Sequence, residues 1–134
     1  MNPQLSASFV VARLLMAQIF VIAGLRKLLG YASAIGAFRM LGIPLPEVMV
    51  PLDIALELGG GILLALGIKT RIMAVVLGLF TIGAALIGHR FWAADPAQFN
   101  GQLNNFLKNV AMAGGFLMML LFDWQQRADA KRVF

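Results

Sequence analysis

Residues 48–68 read VMVPLDIALELGGGILLALGI, and this run sets the class of the whole chain. It is long enough to cross a hydrocarbon core about 30 Å thick, which needs roughly 20 mostly apolar residues at about 1.5 Å rise each. Yet it carries two acids, Asp53 and Glu57, where lipid tolerates charge poorly. Three further stretches meet the same length and composition. They are SFVVARLLMAQIFVIAGLRKL at 8–28, RIMAVVLGLFTIGAALIGH at 71–89 and NNFLKNVAMAGGFLMMLLFDW at 104–124. The expectation is an all-α protein: a four-transmembrane-helix bundle forming one membrane domain over 1–134.

Composition supports that reading. Of 134 residues, 60% are hydrophobic and 13% charged, whereas soluble domains are nearer half apolar and a quarter charged. A small soluble fold has too little interior to hide such an excess, so lipid is the expected solvent. Residues 1–10 carry no Lys or Arg and Arg13 interrupts the first run, which reads as a retained helix rather than a signal peptide. The net charge of +5 comes from basic residues scattered singly between apolar runs. That pattern suits anionic headgroups better than nucleic acid, which is not expected as a partner.

The connections are short. Between the first two spans, Ala34, Ile35, Phe38 and Leu41 recur at helical spacing with Arg39 off the stripe, predicting a short interfacial helix that Gly42, Pro44 and Pro46 terminate. A hairpin is expected at Lys69-Thr70-Arg71, a loop over 90–103, and a polar tail from 125. Four spans put both termini on one side. That side collects Arg13, Lys69, Arg71, Arg127, Lys131 and Arg132 against Arg26, Lys27, Arg39, Arg90 and Lys108, a small bias toward cytoplasmic termini. Glycines 59–61, 78, 83, 88 and 114–115 read as surfaces where helices touch, since in lipid close backbone approach drives packing.

Polar residues inside the spans carry the functional signal. Helix rise places Arg13 about 7 Å below the cytoplasmic boundary, Gln18 about 15 Å and Glu57 about 16 Å. Asp53, Lys108 and Asn109 fall at roughly 22–24 Å, and Lys27 and His89 at about 28 Å. Asp53 and Glu57, four residues apart, share one helix face. The expectation is a polar pocket in which Lys27 or Lys108 pairs with Asp53, His89 and Asn109 add hydrogen bonds, and Glu57 lies below as a protonatable acid. Gln18 would stand at the level of Glu57, with Arg13 reaching toward it and Trp92 walling the mouth. The alternatives are structural. Lys27, His89 and Arg13 could snorkel to an interface, Asn109 could bond between helices, and Trp92 and Trp124 could be interfacial anchors. There are no cysteines and one histidine, which removes thiol chemistry and the common Cys/His zinc site; no metal is expected.

Several separated stretches together resemble the DoxX family of small bacterial inner-membrane proteins: ARLLMAQIFVIAGLRKLLGY at 12–31, LGIPLP at 41–46, LELGGGILLALGIKTR at 56–71, GHRFW at 88–92 and NNFLKNVAMAGGFLMML at 104–120. The resemblance implies a four-helix membrane bundle. It also implies kinship with a small membrane subunit linked to thiosulfate:quinone oxidoreductase and with members found beside oxidative-stress enzymes. Carried over position by position, the recurrent polar residues are Arg13, Lys27, Glu57, His89, Lys108 and Asn109. The lack of cysteine departs from any sulfur-redox member. Two functional classes follow. One is a binding or scaffold subunit, such as a component of a membrane oxidoreductase complex, with a redox partner protein or a second copy of the chain. The other is a quinone-binding redox subunit, with a small proton-coupled transporter as a variant.

Overall fold

In the computed structural model, which describes residues 3–132, helices form wherever the apolar runs predict them, and no strand occurs among the described residues. The side chains of Arg127, Lys131 and Arg132, which enter the charge bias, lie outside those described. The helices are α1 (Pro3–Leu29), α2 (Tyr31–Met40), α3 (Pro46–Ile54), α4 (Gly60–Leu66), α5 (Thr70–Gly88) and α6 (Pro96–Arg132). A π-turn, Ala55–Gly59, joins α3 to α4, so that the second span runs unbroken from Pro46 to Leu66. Four segments are long and apolar enough to cross a membrane: Ser6–Leu29, Pro46–Leu66, Thr70–Ala93 and Pro96–Gln125.

Two boundaries differ from the sequence expectation. The fourth helix starts at Pro96, not 104, and continues to Arg132 instead of giving way to a polar tail. Pro96 needs no backbone N–H in a first turn, and the Asp95 carbonyl accepts from the N–H groups of Gln98 and Phe99. Apolar length finds the part of a helix that suits lipid, and polar turns such as QFNGQ extend it unseen. The third connection correspondingly shrinks to a 3₁₀ turn at Phe91–Ala93.

The chain divides into two compact units, residues 1–73 and 74–134. In the first, α1 runs along the second span through one stripe of residues three or four apart: Arg13, Ala17, Phe20, Gly24 and Lys27. Their partners descend in number. The Arg13 guanidinium lies over Gly67, Phe20 and Val21 over Gly61, and Gly24 over Leu58. A Cβ on Gly24 would lie 2.8 Å from the Leu58 backbone nitrogen, and one on Gly61 3.0 Å from Phe20 Cβ. The backbones therefore meet where only hydrogen fits. Glycine packing is thus confirmed at Gly61, while Gly59 has open space around it.

The ends of α2 and of the second span are set by local chemistry. Gly42 (φ +74°) and Gly67 (φ +76°) adopt the left-handed conformation that glycine reaches without penalty. Each closes a helix in the same way: the N–H of Ile43 bonds the Phe38 carbonyl and that of Gly42 the Arg39 carbonyl. Ile68 to Leu63 and Gly67 to Leu64 repeat the pattern. The α2 stripe does not simply lie on lipid. Ala34 is buried with Val50 and Ile54, and Ile35 and Phe38 pack against them.

In the second unit α5 buries Ala74, Leu77, Thr81 and Ala85, again at three- and four-residue spacing, and α6 buries Phe116 and Met119. Gly78 faces Phe116, whose Cβ lies 3.3 Å from where a Gly78 Cβ would stand. Thr81 satisfies its buried hydroxyl by donating to the Leu77 carbonyl at 2.7 Å, so it is a packing residue. Gly83, Gly88 and Gly114 meet nothing within 4 Å and are not contact surfaces in the way the sequence suggests.

Candidate functional site

The expected pairing of a lysine with Asp53 is present, and Lys27 makes it. Near the end of α1, one turn beyond the Gly24 contact, the ammonium of Lys27 donates to Asp53 Oδ2 and lies 2.8 Å from Glu57 Oε2. The second contact is an ion pair by distance but off the hydrogen-bonding direction: that oxygen is buried and receives no aligned hydrogen bond. The side chains are 28%, 11% and 8% exposed for Lys27, Asp53 and Glu57, so the acids are further from solvent than the base. Depth along the helix sets Glu57 a turn below the pair. Instead one long, flexible lysine bridges both acids, because they share a face and its stem spans one turn.

Local backbone explains how. Pro51 lies inside α3 and cannot donate to the Glu47 carbonyl one turn earlier. Four residues later the helix widens into the π-turn that holds Glu57 at its centre. A π-turn alters the angle between successive side chains, and such turns concentrate at functional sites. The adjoining Gly60 and Gly61 are buried and let α1 approach. The ring of Phe38, from α2, adds a fourth wall, its centroid 5.9 Å from Lys27 Nζ. Phe38 is legible in the sequence only as part of an apolar stripe; that it covers a cation depends on where α2 folds back.

The remaining predicted residues are placed as follows. Gln18 is exposed on α1, off the stripe that meets the second span, so it is not at the acids. The seam register also sets Gln18 and Glu57 at different levels: Phe20 and Val21 already face Gly61, so Gln18 stands nearer to Leu64 than to Glu57. Arg13 stands at the far end of the same stripe, against Gly67 and with Phe9 5.9 Å away, and does not reach toward Glu57. It sits at the C-terminal end of the second span, where the helix dipole favours a cation.

His89, Lys108, Asn109 and Trp92 belong to the second unit. His89 Nδ1 is 3.1 Å from Gln102 Oε1. Sequence reasoning misses Gln102 because 90–103 reads as loop. Asn109 donates its amide to the Asn105 carbonyl at 3.1 Å, a bond within its own helix, and Lys108 is exposed. Trp92 joins an edge-to-face group with Phe91 at 5.1 Å and Phe106 at 5.9 Å, and Phe99 lies 6.0 Å from Phe91. Among the described residues no group of three or more His, Asp or Glu is placed to hold a metal ion.

The DoxX family model matches residues 8–90, which contain the whole Lys27–Asp53–Glu57 cluster. The chain belongs to the DoxX family. It is 33% identical over 111 residues to the inner membrane protein YphA of Escherichia coli K12, covering 83% of this chain and 79% of that one. Identity to YqjF, another inner membrane protein of E. coli K12, is 35% over 111 residues, 83% and 80% of the two chains. A Bacillus subtilis 168 protein named "Putative oxidoreductase CatD" is 31% identical over 131 residues, 78% of this chain and 96% of its own. No solved structure matches the chain. With four span-length helices and inner-membrane relatives, this DoxX protein is an integral protein of the inner membrane.

Proposed function

We propose that this DoxX protein is the binding subunit of a membrane assembly, and that it holds the polar head of an otherwise apolar molecule at Lys27, Asp53 and Glu57. The observation that carries the reading is two carboxylates gathered on one ammonium within the apolar part of a span. Such a cluster is a poor way to gain stability, because desolvating charges costs about as much as their attraction returns. Intramembrane charge that persists is functional by default.

The chemistry points to a neutral acceptor head. An ammonium has three N–H donors; Asp53 takes one and Glu57 lies off-axis, which leaves donor capacity for a carbonyl oxygen. Two acids on one ammonium leave the cluster no net positive charge to offer, which disfavours fatty acids and phospholipid heads. A quinone fits: apolar body, planar head, carbonyl oxygens. Its reduction takes two electrons and two protons, and the carboxylates are positioned to pass protons. The sequence holds no flavin motif, so a partner protein supplies the electrons. The name of the B. subtilis relative favours this redox reading.

The test is extraction. Protein purified in mild detergent is treated with organic solvent, and quinone is read by absorbance and mass. Near-stoichiometric quinone in the wild type and its loss in Lys27→Met are expected. Equal quinone in both, or none in either, would refute the quinone assignment.

A further inference from the structure

The Lys27 site is walled unequally. Toward α1 and the second span it is sealed by backbone contact, since Gly24 and Gly61 leave no room for even a methyl group. Toward α2 it is held by little. Only Ala34 of that helix is buried, against Val50 and Ile54, with Ile35 and Phe38 beside them. Both ends of α2 are glycines. Gly30 leaves helical geometry at φ −106°, ψ 43°, and Gly42 is left-handed at φ +74°. A further tie is an ion pair between Arg39, in the last turn of α2, and Glu47, in the first turn of α3. Its side chains are 63% and 58% exposed. Exposed pairs contribute little and are screened by salt. Elements with few buried contacts and flexible joints open locally at low cost.

What this weakly held helix covers is the ammonium, through the Phe38 ring. We propose that α2 is a hinged roof over the site: it turns on Gly30 and Gly42 to admit a ligand head, and Arg39–Glu47 latches it shut. The proposal rests on the reading of Lys27, Asp53 and Glu57 as a binding site. The physical sense is that a charged cluster must exclude water and lipid at rest yet exchange its ligand. A weak, charge-based latch on a small apolar patch satisfies both demands.

Because the chain has no cysteine, a single introduced thiol reports local opening without background. Val50→Cys places one beneath α2, and Leu64→Cys places one on α4 away from it; both parent residues are 0% exposed. The full chain in detergent is treated with N-ethylmaleimide and followed by intact mass. The Val50→Cys thiol should be alkylated at least about tenfold faster than the Leu64→Cys thiol, since only the first is reached by local opening. Adding Arg39→Glu should accelerate the Val50→Cys reaction about two- to fivefold at low salt and leave Leu64→Cys unchanged. Restoring the pair in reverse, with Arg39→Glu and Glu47→Arg together, should return the rate. Should Val50→Cys fail to fold, Ala34→Cys reads the same contact from the roof side. Equal alkylation at the two depths, or a rate indifferent to Arg39→Glu, would overturn the roof. No quinone is used, so failure here leaves the quinone reading standing, and loss of the quinone reading leaves this result intact.

Discussion

Replacing Gly24 by alanine should loosen the first unit and disturb the charge cluster from a distance. The added carbon would lie 2.8 Å from the nitrogen, 2.9 Å from Cβ and 3.1 Å from Cα of Leu58. Unstrained carbon contacts lie near 3.5–4.0 Å, so α1 and the second span must separate by roughly 0.5–1 Å. Two of the three clashing atoms are backbone and cannot swing away. Overpacking of this kind costs about 1–3 kcal/mol. It is offset only in part by the roughly 0.5–1 kcal/mol that alanine gains over glycine inside a helix. At about 4 °C per kcal/mol for a chain of this size, the melting temperature in detergent should fall by several degrees. Leu58 adjoins Glu57, and Lys27 is three residues beyond Gly24, so the same separation stretches the 2.8 Å ion pair. Gly83→Ala is the matched control. Nothing lies within 4 Å of its Cβ, so the helix-propensity gain acts alone and stability should rise by about 0.4–1 kcal/mol. Intrinsic tryptophan fluorescence on heating reads both variants. A Gly24→Ala protein that melts at or above the wild-type temperature would refute the close-packed seam.

Lys27→Met should destabilise by about 3–5 kcal/mol, because it strands two acids that are 11% and 8% exposed. Adding Asp53→Leu and Glu57→Met should recover most of that loss while abolishing ligand binding. Failure of the triple variant to recover, judged by thermal denaturation, would mean the cluster is kept for the fold itself. Gly67→Ala should cost about 1–2 kcal/mol from its left-handed backbone alone. It should cost more from displacing the Arg13 guanidinium, whose Cζ lies 2.7 Å from the new carbon. Arg13→Ala in the same chain should remove that second part and leave the first.

Much of this DoxX protein is legible residue by residue. A bilayer imposes a local rule, apolar length, and the four runs obey it wherever they lie in the chain. Two acids inside one run violate it, and that violation alone marks Asp53 and Glu57. Rise along a helix is also local, so the spacing of residues within one span follows from position alone. The register of one span against another is not local. Register and the angle around a helix depend on which neighbour it faces, and together they take Gln18 away from Glu57 and turn Lys27 onto both acids at once. The π-turn at Ala55–Gly59 follows Pro51 and precedes the buried Gly60 and Gly61, and no apolar run in the sequence marks it. Gly24 shows the same division: its composition says only small residue, while the adjacent Leu58 backbone makes hydrogen the sole substituent that fits. Which segments are long and apolar enough to enter the membrane can be read from the chain alone, because solvent preference is a property of a single segment. Which charges meet is a matter of tertiary packing, because orientation around an axis belongs to pairs of helices.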